Sequence, residues 1–150
     1  MSCASSEKLN STSPVLQHYQ FSEVDSLMAK EKRSIAVFLH ANWCKFCKNM
    51  EQTTFKNDAI VQLLNEQYYF ISFDGEQKEE IRFNQRNFAF QPHGRNSGTH
   101  ELATALGSIN GELTYPSFVL LNPQYEITFQ HNTFLNAREM KVILEQTNTN

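Results

Sequence analysis

The apolar segment Ser34–His40 and the two cysteines that follow it constrain the fold more than any other feature of the sequence. The segment consists of Ser-Ile-Ala-Val-Phe-Leu-His, a compact apolar run typical of a strand buried on both faces of a sheet. The sequence Cys44-Lys45-Phe46-Cys47 begins shortly after it, and the mixed polar and apolar residues up to Phe55 predict a helix. We therefore expect a buried strand that leads directly into a helix with two cysteines at its N-terminus.

Helices and strands alternate first and a hairpin comes late, which predicts an α/β fold, a mixed sheet with helices on both faces. The other predicted elements are, in chain order, an edge strand over Val15–Gln20, a helix over Glu23–Lys32 capped by Ser22, a helix from Asp58, a strand over Tyr68–Phe73, a hairpin in which Ile81-Arg82-Phe83 and Phe88-Ala89-Phe90 flank a turn at Asn84–Asn87, a loop over Gln91–Gly98, a helix over Thr99–Leu106, strands over Ser117–Leu121 and Tyr125–Gln130, and a last helix opened by the capping box Asn136-x-x-Glu139.

Composition limits the class of protein. The 150 residues, 40% of them hydrophobic and 19% charged, predict one globular domain that needs no metal or disulfide staples to fold. A formal net charge of −3 argues against a general nucleic-acid binder. The longest strongly apolar run, Ile35–Leu39, is far shorter than the roughly 18 residues that a membrane-spanning helix needs.

The N-terminal segment is Ser-rich, and we predict a flexible leader over residues 1–14 before a domain over residues 15–150. It shows no charged stretch followed by an apolar one, so no signal peptide is predicted in the chain as given. Cys3 leaves two interpretations open. It resembles the lipid-anchored cysteine at the start of a mature bacterial lipoprotein, or it is an incidental thiol in the tail of a cytosolic protein.

The cysteine pair is the chemically informative motif. A helix N-terminus offers unpaired N–H groups and the positive end of the helix dipole, and both stabilise a thiolate on Cys44. Lys45 and Lys48 add positive charge nearby. Cysteines three residues apart on a helix share a face and can form a disulfide. We therefore predict that Cys44 is the exposed, attacking thiolate and Cys47 the more buried thiol that resolves the mixed disulfide.

The segment 36–55, AVFLHANWCKFCKNMEQTTF, resembles the bacterial thiol–disulfide interchange branch of the thioredoxin-like family. Glu101-Leu102-Ala103 and Thr114-Tyr115-Pro116-Ser117-Phe118 resemble the helix and the proline loop of that family. The resemblance implies a cis Tyr115–Pro116 bond, and substrate binding by Trp43, Tyr115 and Pro116 beside Cys44. It also implies a thioredoxin-like mixed sheet flanked by helices, with a β-hairpin inserted between the third strand and the helix before the proline loop.

Three departures from the family pattern matter. Phe38 stands where many thioredoxins have a buried Asp six residues before the first cysteine, and that Asp is usually credited with accepting a proton. Lys45 and Phe46, the residues that tune the thiol pKa and the redox potential, are neither Gly-Pro nor Gly-His. The third departure is a segment at about residues 76–98, which is an insertion relative to a minimal thioredoxin.

Two groups of polar residues have alternative interpretations. His93, Arg95 and His100 form either a solvated polar loop or a substrate-facing rim near the disulfide. His40 is either structural or influences the thiolate. In the insertion, the four apolar residues of the hairpin are expected on one face, packed on the domain. These are Ile81, Phe83, Phe88 and Phe90.

The sequence thus predicts a thiol–disulfide oxidoreductase of the protein-disulfide reductase or isomerase type. The electrons reside in the cysteine pair, so no cofactor is expected, and a zinc site lacks two ligands. The expected partners are protein thiols and disulfides, and a redox protein that resets the pair. The expected location is the bacterial envelope or periplasm, where Cys3 would be the point of membrane attachment if it is lipidated, and the cytoplasm is the alternative. The alternative function is a thioredoxin-fold binding or chaperone module with a structural disulfide.

Overall fold

A mixed four-stranded sheet forms the centre of the computed structural model, which describes residues 13–147. Its strands are β1 (Ser34–His40), β2 (Tyr68–Asp74), β7 (Ser117–Leu121) and β8 (Ile127–His131), in the order β2-β1-β7-β8. β1 pairs in parallel with β2, whereas β7 runs antiparallel to both of its neighbours. The apolar segment Ser34–His40 is therefore a central strand, as its uninterrupted apolar run predicted.

Five α-helices accompany the sheet in the described part of the chain. They are α1 (Phe21–Lys30), α2 (Lys45–Gln52), α3 (Asp58–Gln67), α4 (Glu101–Gly107) and α5 (Ala137–Thr147), with a short 3-10 helix at Thr54–Lys56. None of the helices among residues 13–147 has the length and apolar character needed to cross a membrane.

The two faces of the sheet belong to two separate apolar clusters. Ile35, Val37 and Leu39 pack with buried residues of α1 and α4, whereas Ala36 and Phe38 pack with those of α2, α3 and α5. This alternation follows from the two-residue period of a strand, and it places the cysteine helix on the Phe38 face. The predicted α/β fold, a mixed sheet flanked by helices, is confirmed.

Two short ribbons lie between β2 and α4. β3 (Ile81–Phe83) pairs with β4 (Arg86–Phe88), and β5 (Phe90–Pro92) pairs with β6 (Gly98–His100). The first ribbon packs on the domain, because Phe83 and Phe88 are buried in the cluster that contains Phe21.

The hairpin differs from its prediction in two respects. Its turn is tighter, since Asn84 and Gln85 both have positive φ, at 55° and 63°, which is typical of a two-residue hairpin turn. Phe90 leaves the hairpin and joins the second ribbon, so the predicted loop over Gln91–Gly98 is wrong at both of its ends.

The predicted strand over Val15–Gln20 is wrong. The Asn65 side chain bonds the Val15 carbonyl and the Gln17 N–H, both at 2.9 Å, and thereby occupies groups that a strand partner would use. Tyr68–Asp74 is consequently the second strand of the chain, so the inserted hairpin follows the second strand and not the third.

Several element boundaries also shift. α1 begins at Phe21 because Gln20 and Glu23 form its capping box, and this start buries Phe21. The helix predicted to reach Phe55 ends at Gln52, and the buried Thr54 hydroxyl turns to the Leu135 carbonyl at 2.6 Å.

Near the C-terminus, β8 begins at Ile127 because Tyr125 lies in a turn with a φ of 68°. The Asn136–Glu139 capping box of α5 is confirmed, with hydrogen bonds of 2.8 and 3.0 Å. Cys3 and most of the predicted leader lie outside the described residues.

Candidate active site around the cysteine pair

Cys44 and Cys47 are joined by a disulfide where β1 leads into α2, with their Cα atoms 5.2 Å apart. Cys44 is the N-cap residue of α2, and its Sγ accepts a hydrogen bond from the Cys47 N–H at 3.1 Å. A thiolate on Cys44 in the reduced state is therefore stabilised by an amide donor and by the positive end of the helix dipole. This arrangement suits thiol–disulfide exchange.

The burial of the pair differs from expectation. Cys44 is only 4% exposed and Cys47 1%, so the predicted exposure of Cys44 is wrong in this disulfide state. Cys44 is buried because its Sγ accepts the Cys47 N–H and is bonded to the Cys47 sulfur. The side chain also packs in the apolar cluster that contains Met50. The exposed side chains are the neighbouring aromatics, because Trp43 is 65% and Phe46 64% exposed.

The proline loop contacts the site through Tyr115, which packs against Trp43. The Tyr115–Pro116 bond is cis, as the resemblance implied, and Pro116 is buried. The Tyr115 ring meets Trp43 edge to face, with centroids 5.9 Å apart. Burial and the carboxylates of Glu76 and Asp74 raise the pKa of Tyr115 to about 12. Its buried hydroxyl has no hydrogen-bond partner among the described residues.

The two residues between the cysteines are both exposed. Phe46 contacts Phe134 edge to face, with a centroid separation of 6.3 Å, while Lys45 points to solvent. The predicted site residues Trp43 and Tyr115 are therefore in contact with each other, whereas the ring contact of Phe46 is with Phe134.

Phe38 fills the position of the buried acid with an aromatic ring. It is 1% exposed and packs against Phe55 and His40, with centroid distances of 4.8 and 5.4 Å. Burial lowers the pKa of His40, although the nearby Glu51 and Asp74 carboxylates oppose that shift. The neutral imidazole is therefore favoured at pH 7.

The three polar residues His93, Arg95 and His100 separate into two groups. His93 and Arg95 are exposed in the loop between β5 and β6. His100 is fully buried and is the N-cap of α4, so its assignment to a solvated loop or a substrate-facing rim is wrong. Its Nδ1 accepts from the Leu102 N–H at 3.2 Å, so the ring proton lies on Nε2 and is donated to the Glu79 carbonyl at 2.8 Å.

Sequence reasoning missed Glu76. Its carboxylate accepts hydrogen bonds from the Trp43 indole N–H, with distances of 3.1 and 3.2 Å to its two oxygens. The sequence held one signal for this contact, since β1 and β2 are joined through helices and such a connection is typical of parallel strands. The two strands are parallel, so their carboxyl ends meet at one edge of the sheet. Residues shortly after the two strands are then neighbours. In residues 13–147 no group of His, Cys, Asp and Glu could hold a metal ion.

Comparison with known proteins agrees with this geometry. The family described as thioredoxin-like domain matches residues 21–148. The chain is similar to a solved structure titled DsbH oxidoreductase, with 12% identity, a TM-score of 0.61, and coverage of 91% of this chain and 85% of that one. A thioredoxin from Thermus thermophilus has 19% identity, a TM-score of 0.61, and coverage of 88% and 86%.

A putative disulphide-isomerase from Bacteroides thetaiotaomicron has 16% identity, a TM-score of 0.60, and coverage of 92% of this chain and 96% of its own. At these identities the likenesses show the fold. No curated protein sequence matches the chain.

Proposed function

The chain belongs to the thioredoxin-like domain family and carries a cysteine pair suited to thiol–disulfide exchange, and we propose that it exchanges disulfides with protein substrates. In this proposal Cys44 attacks, Cys47 resolves, and Trp43, Tyr115 and Pro116 bind the substrate chain. One observation carries it. The Cys44–Cys47 disulfide lies at the N-terminus of α2, and the Cys44 Sγ accepts the Cys47 amide proton.

In the reducing direction, the Cys44 thiolate attacks one sulfur of a substrate disulfide. The substrate S–S bond breaks, a mixed disulfide forms on Cys44, and the second substrate sulfur leaves and takes up a proton. The Cys47 thiolate then attacks the Cys44 sulfur, which forms the intramolecular disulfide and releases the first substrate sulfur as a thiol. Two electrons pass to the substrate, and a partner dithiol protein returns them by the same exchange in reverse.

The reductase or isomerase type and the location belong to the same proposal. Similar structures are titled an oxidoreductase and a putative disulphide-isomerase, which supports proteins as substrates. The bacterial envelope, with Cys3 as a lipid anchor, is supported by the sequence resemblance. The cytoplasm is the alternative location.

The test is reduction of insulin, a protein disulfide, with dithiothreitol as the reductant. We expect Cys44→Ser to abolish catalysis and Cys47→Ser to accumulate a mixed disulfide on Cys44. Cys3→Ser is the matched control because Cys3 is the one cysteine outside the pair, and it should leave the rate unchanged. Wild-type and Cys44→Ser proteins with equal activity would favour the binding or chaperone alternative with a structural disulfide.

The direction of electron transfer is tested by measuring the reduction potential of the Cys44–Cys47 pair, through equilibration with glutathione. A value near about −270 mV would assign a reductase, and a value near about −120 mV would assign an oxidant.

A further inference from the structure

A turn formed by Asp74, Gly75 and Glu76 begins the inserted segment and is hydrogen-bonded to Trp43, the residue before Cys44. We refer to these residues as the Glu76 turn. The Gly75 N–H donates to the His40 carbonyl at the end of β1 at 2.9 Å, and the His100 N–H donates to the Gly75 carbonyl at 2.8 Å. The Glu76 N–H donates to the Asp74 carboxylate at 2.9 Å. The turn is therefore fixed to the central strand and to the start of α4.

The fixed turn holds the Glu76 carboxylate against Trp43. Both oxygens lie within 3.2 Å of the indole nitrogen, and a hydrogen bond to an ionised carboxylate is stronger than a neutral one. Trp43 is nevertheless 65% exposed, so burial alone does not orient its ring. The carboxylate therefore contributes to holding an exposed aromatic side chain next to Cys44.

Tyr115 is in contact with both Trp43 and the Glu76 turn. Its ring lies edge to face with Trp43 and directly over Gly75. A Cβ atom at Gly75 would lie only 2.7 Å from the Tyr115 Cε1 atom, so the absence of a side chain there lets the ring approach. The Glu76 turn thus connects the insertion to both Trp43 and the proline loop.

We propose that Glu76 is a positioning residue that holds the Trp43 indole ready to dock on apolar groups beside a protein disulfide. This inference rests on the proposed function and adds a role for the first residue of the insertion. An aromatic ring that is already ordered loses less conformational entropy when it docks. Glu76 then affects the binding of protein substrates and leaves the sulfur chemistry of Cys44 and Cys47 unchanged.

The experiment compares Glu76→Ala with Glu76→Gln, which keeps an oxygen that accepts from the indole. Glu80→Ala is the matched control, since Glu80 is an exposed carboxylate of the same segment and the Trp43 indole donates to Glu76 instead. The two substrates are insulin, which is a protein disulfide, and 2-hydroxyethyl disulfide. The second is too small to contact the Trp43 ring while its sulfur reacts with Cys44. Thermal unfolding of each variant controls for loss of fold.

We expect Glu76→Ala to lower kcat/KM for insulin by about 2-fold to about 10-fold, through KM, because one side chain must be ordered on binding. Glu76→Gln should restore most of this loss, and turnover of 2-hydroxyethyl disulfide should stay at the wild-type value for the Glu76 and Glu80 variants. In a Trp43→Phe background, which lacks the indole N–H, Glu76→Ala should have no further effect.

Trp43 is the only tryptophan of the chain, so time-resolved fluorescence anisotropy reports on it alone. Faster ring motion is expected in Glu76→Ala and not in Glu80→Ala. Unchanged insulin kinetics in Glu76→Ala, equal losses on both substrates, or an equal effect in the Trp43→Phe background would overturn the inference. A wild-type protein that does not reduce insulin would refute the proposed function instead, and unchanged anisotropy in Glu76→Ala would then refute the positioning role independently.

Discussion

Replacement of His100 tests whether this residue is structural or faces the substrate. The side chain is fully buried, caps α4 through Nδ1, and donates from Nε2 to the Glu79 carbonyl. Its ring also meets Phe73 edge to face, with centroids 5.5 Å apart. The structure therefore predicts that His100→Ala destabilises the domain and leaves the chemistry of the cysteine pair intact.

The magnitude follows from the two hydrogen bonds. Loss of an N-cap costs about 1 kcal/mol, and loss of a hydrogen bond costs about 1 kcal/mol more, so His100→Ala should lower the free energy of unfolding by at least about 2 kcal/mol. The cavity left by the ring adds to this loss. For a domain of this size, a loss of about 2 kcal/mol corresponds to a decrease in Tm of about 4–8 °C.

His100→Asn separates the two contributions. An Asn oxygen can take the place of Nδ1 and cap α4, but the shorter side chain does not extend to the Glu79 carbonyl. We therefore expect His100→Asn to recover about 1 kcal/mol relative to His100→Ala. Urea unfolding followed by far-UV circular dichroism measures the stabilities. Exchange with 2-hydroxyethyl disulfide and with insulin is measured at a temperature where each variant is folded.

Two results would refute this reasoning. The first is an unfolding free energy of His100→Ala within about 0.5 kcal/mol of wild type, the usual range for surface substitutions. The second is a fully folded His100→Ala protein that retains turnover of the small disulfide but loses turnover of insulin, since that pattern would place His100 at the substrate.

Three further predictions concern stability. Tyr115→Phe removes a buried hydroxyl that has no hydrogen-bond partner in the described chain. The free energy of unfolding should therefore stay equal or rise by up to about 1–3 kcal/mol. A clear loss of stability in thermal unfolding would contradict this. Burial lowers the pKa of His40 below 6.5, so the unfolded chain binds a proton more readily and stability is lost as pH falls below 6.5. His40→Gln should weaken that decline in urea titrations at about pH 7.5 and about pH 5.5, and an unchanged pH dependence would count against it. Gly98→Ala would place a Cβ 2.8 Å from the Pro92 Cα atom, so the second ribbon must shift at a cost of about 1–3 kcal/mol in urea unfolding; a neutral result would show that the backbone adjusts freely.

The sequence by itself determined the central strand, the cysteine helix that follows it and the identity of the reactive pair. These features depend on near neighbours along the chain. An apolar run such as Ser34–His40 is stable in water only when it is buried, which favours a central strand. Two cysteines three residues apart at the start of a helix are adjacent in any fold that keeps that helix. The capping box at Asn136 was predictable for the same reason, because both of its hydrogen bonds lie within four residues.

The tertiary structure alone decided how the rest of the site is held. Glu76 meets Trp43 across 33 residues, and Asn65 occupies the backbone groups of Val15 and Gln17 across about 50 residues. His100 became a buried cap because its ring reaches back 21 residues to Glu79. Polar side chains such as these can bond to water in many conformations, so their own pattern selects no partner. The partner is chosen when packing of the apolar clusters brings distant segments together and removes the water.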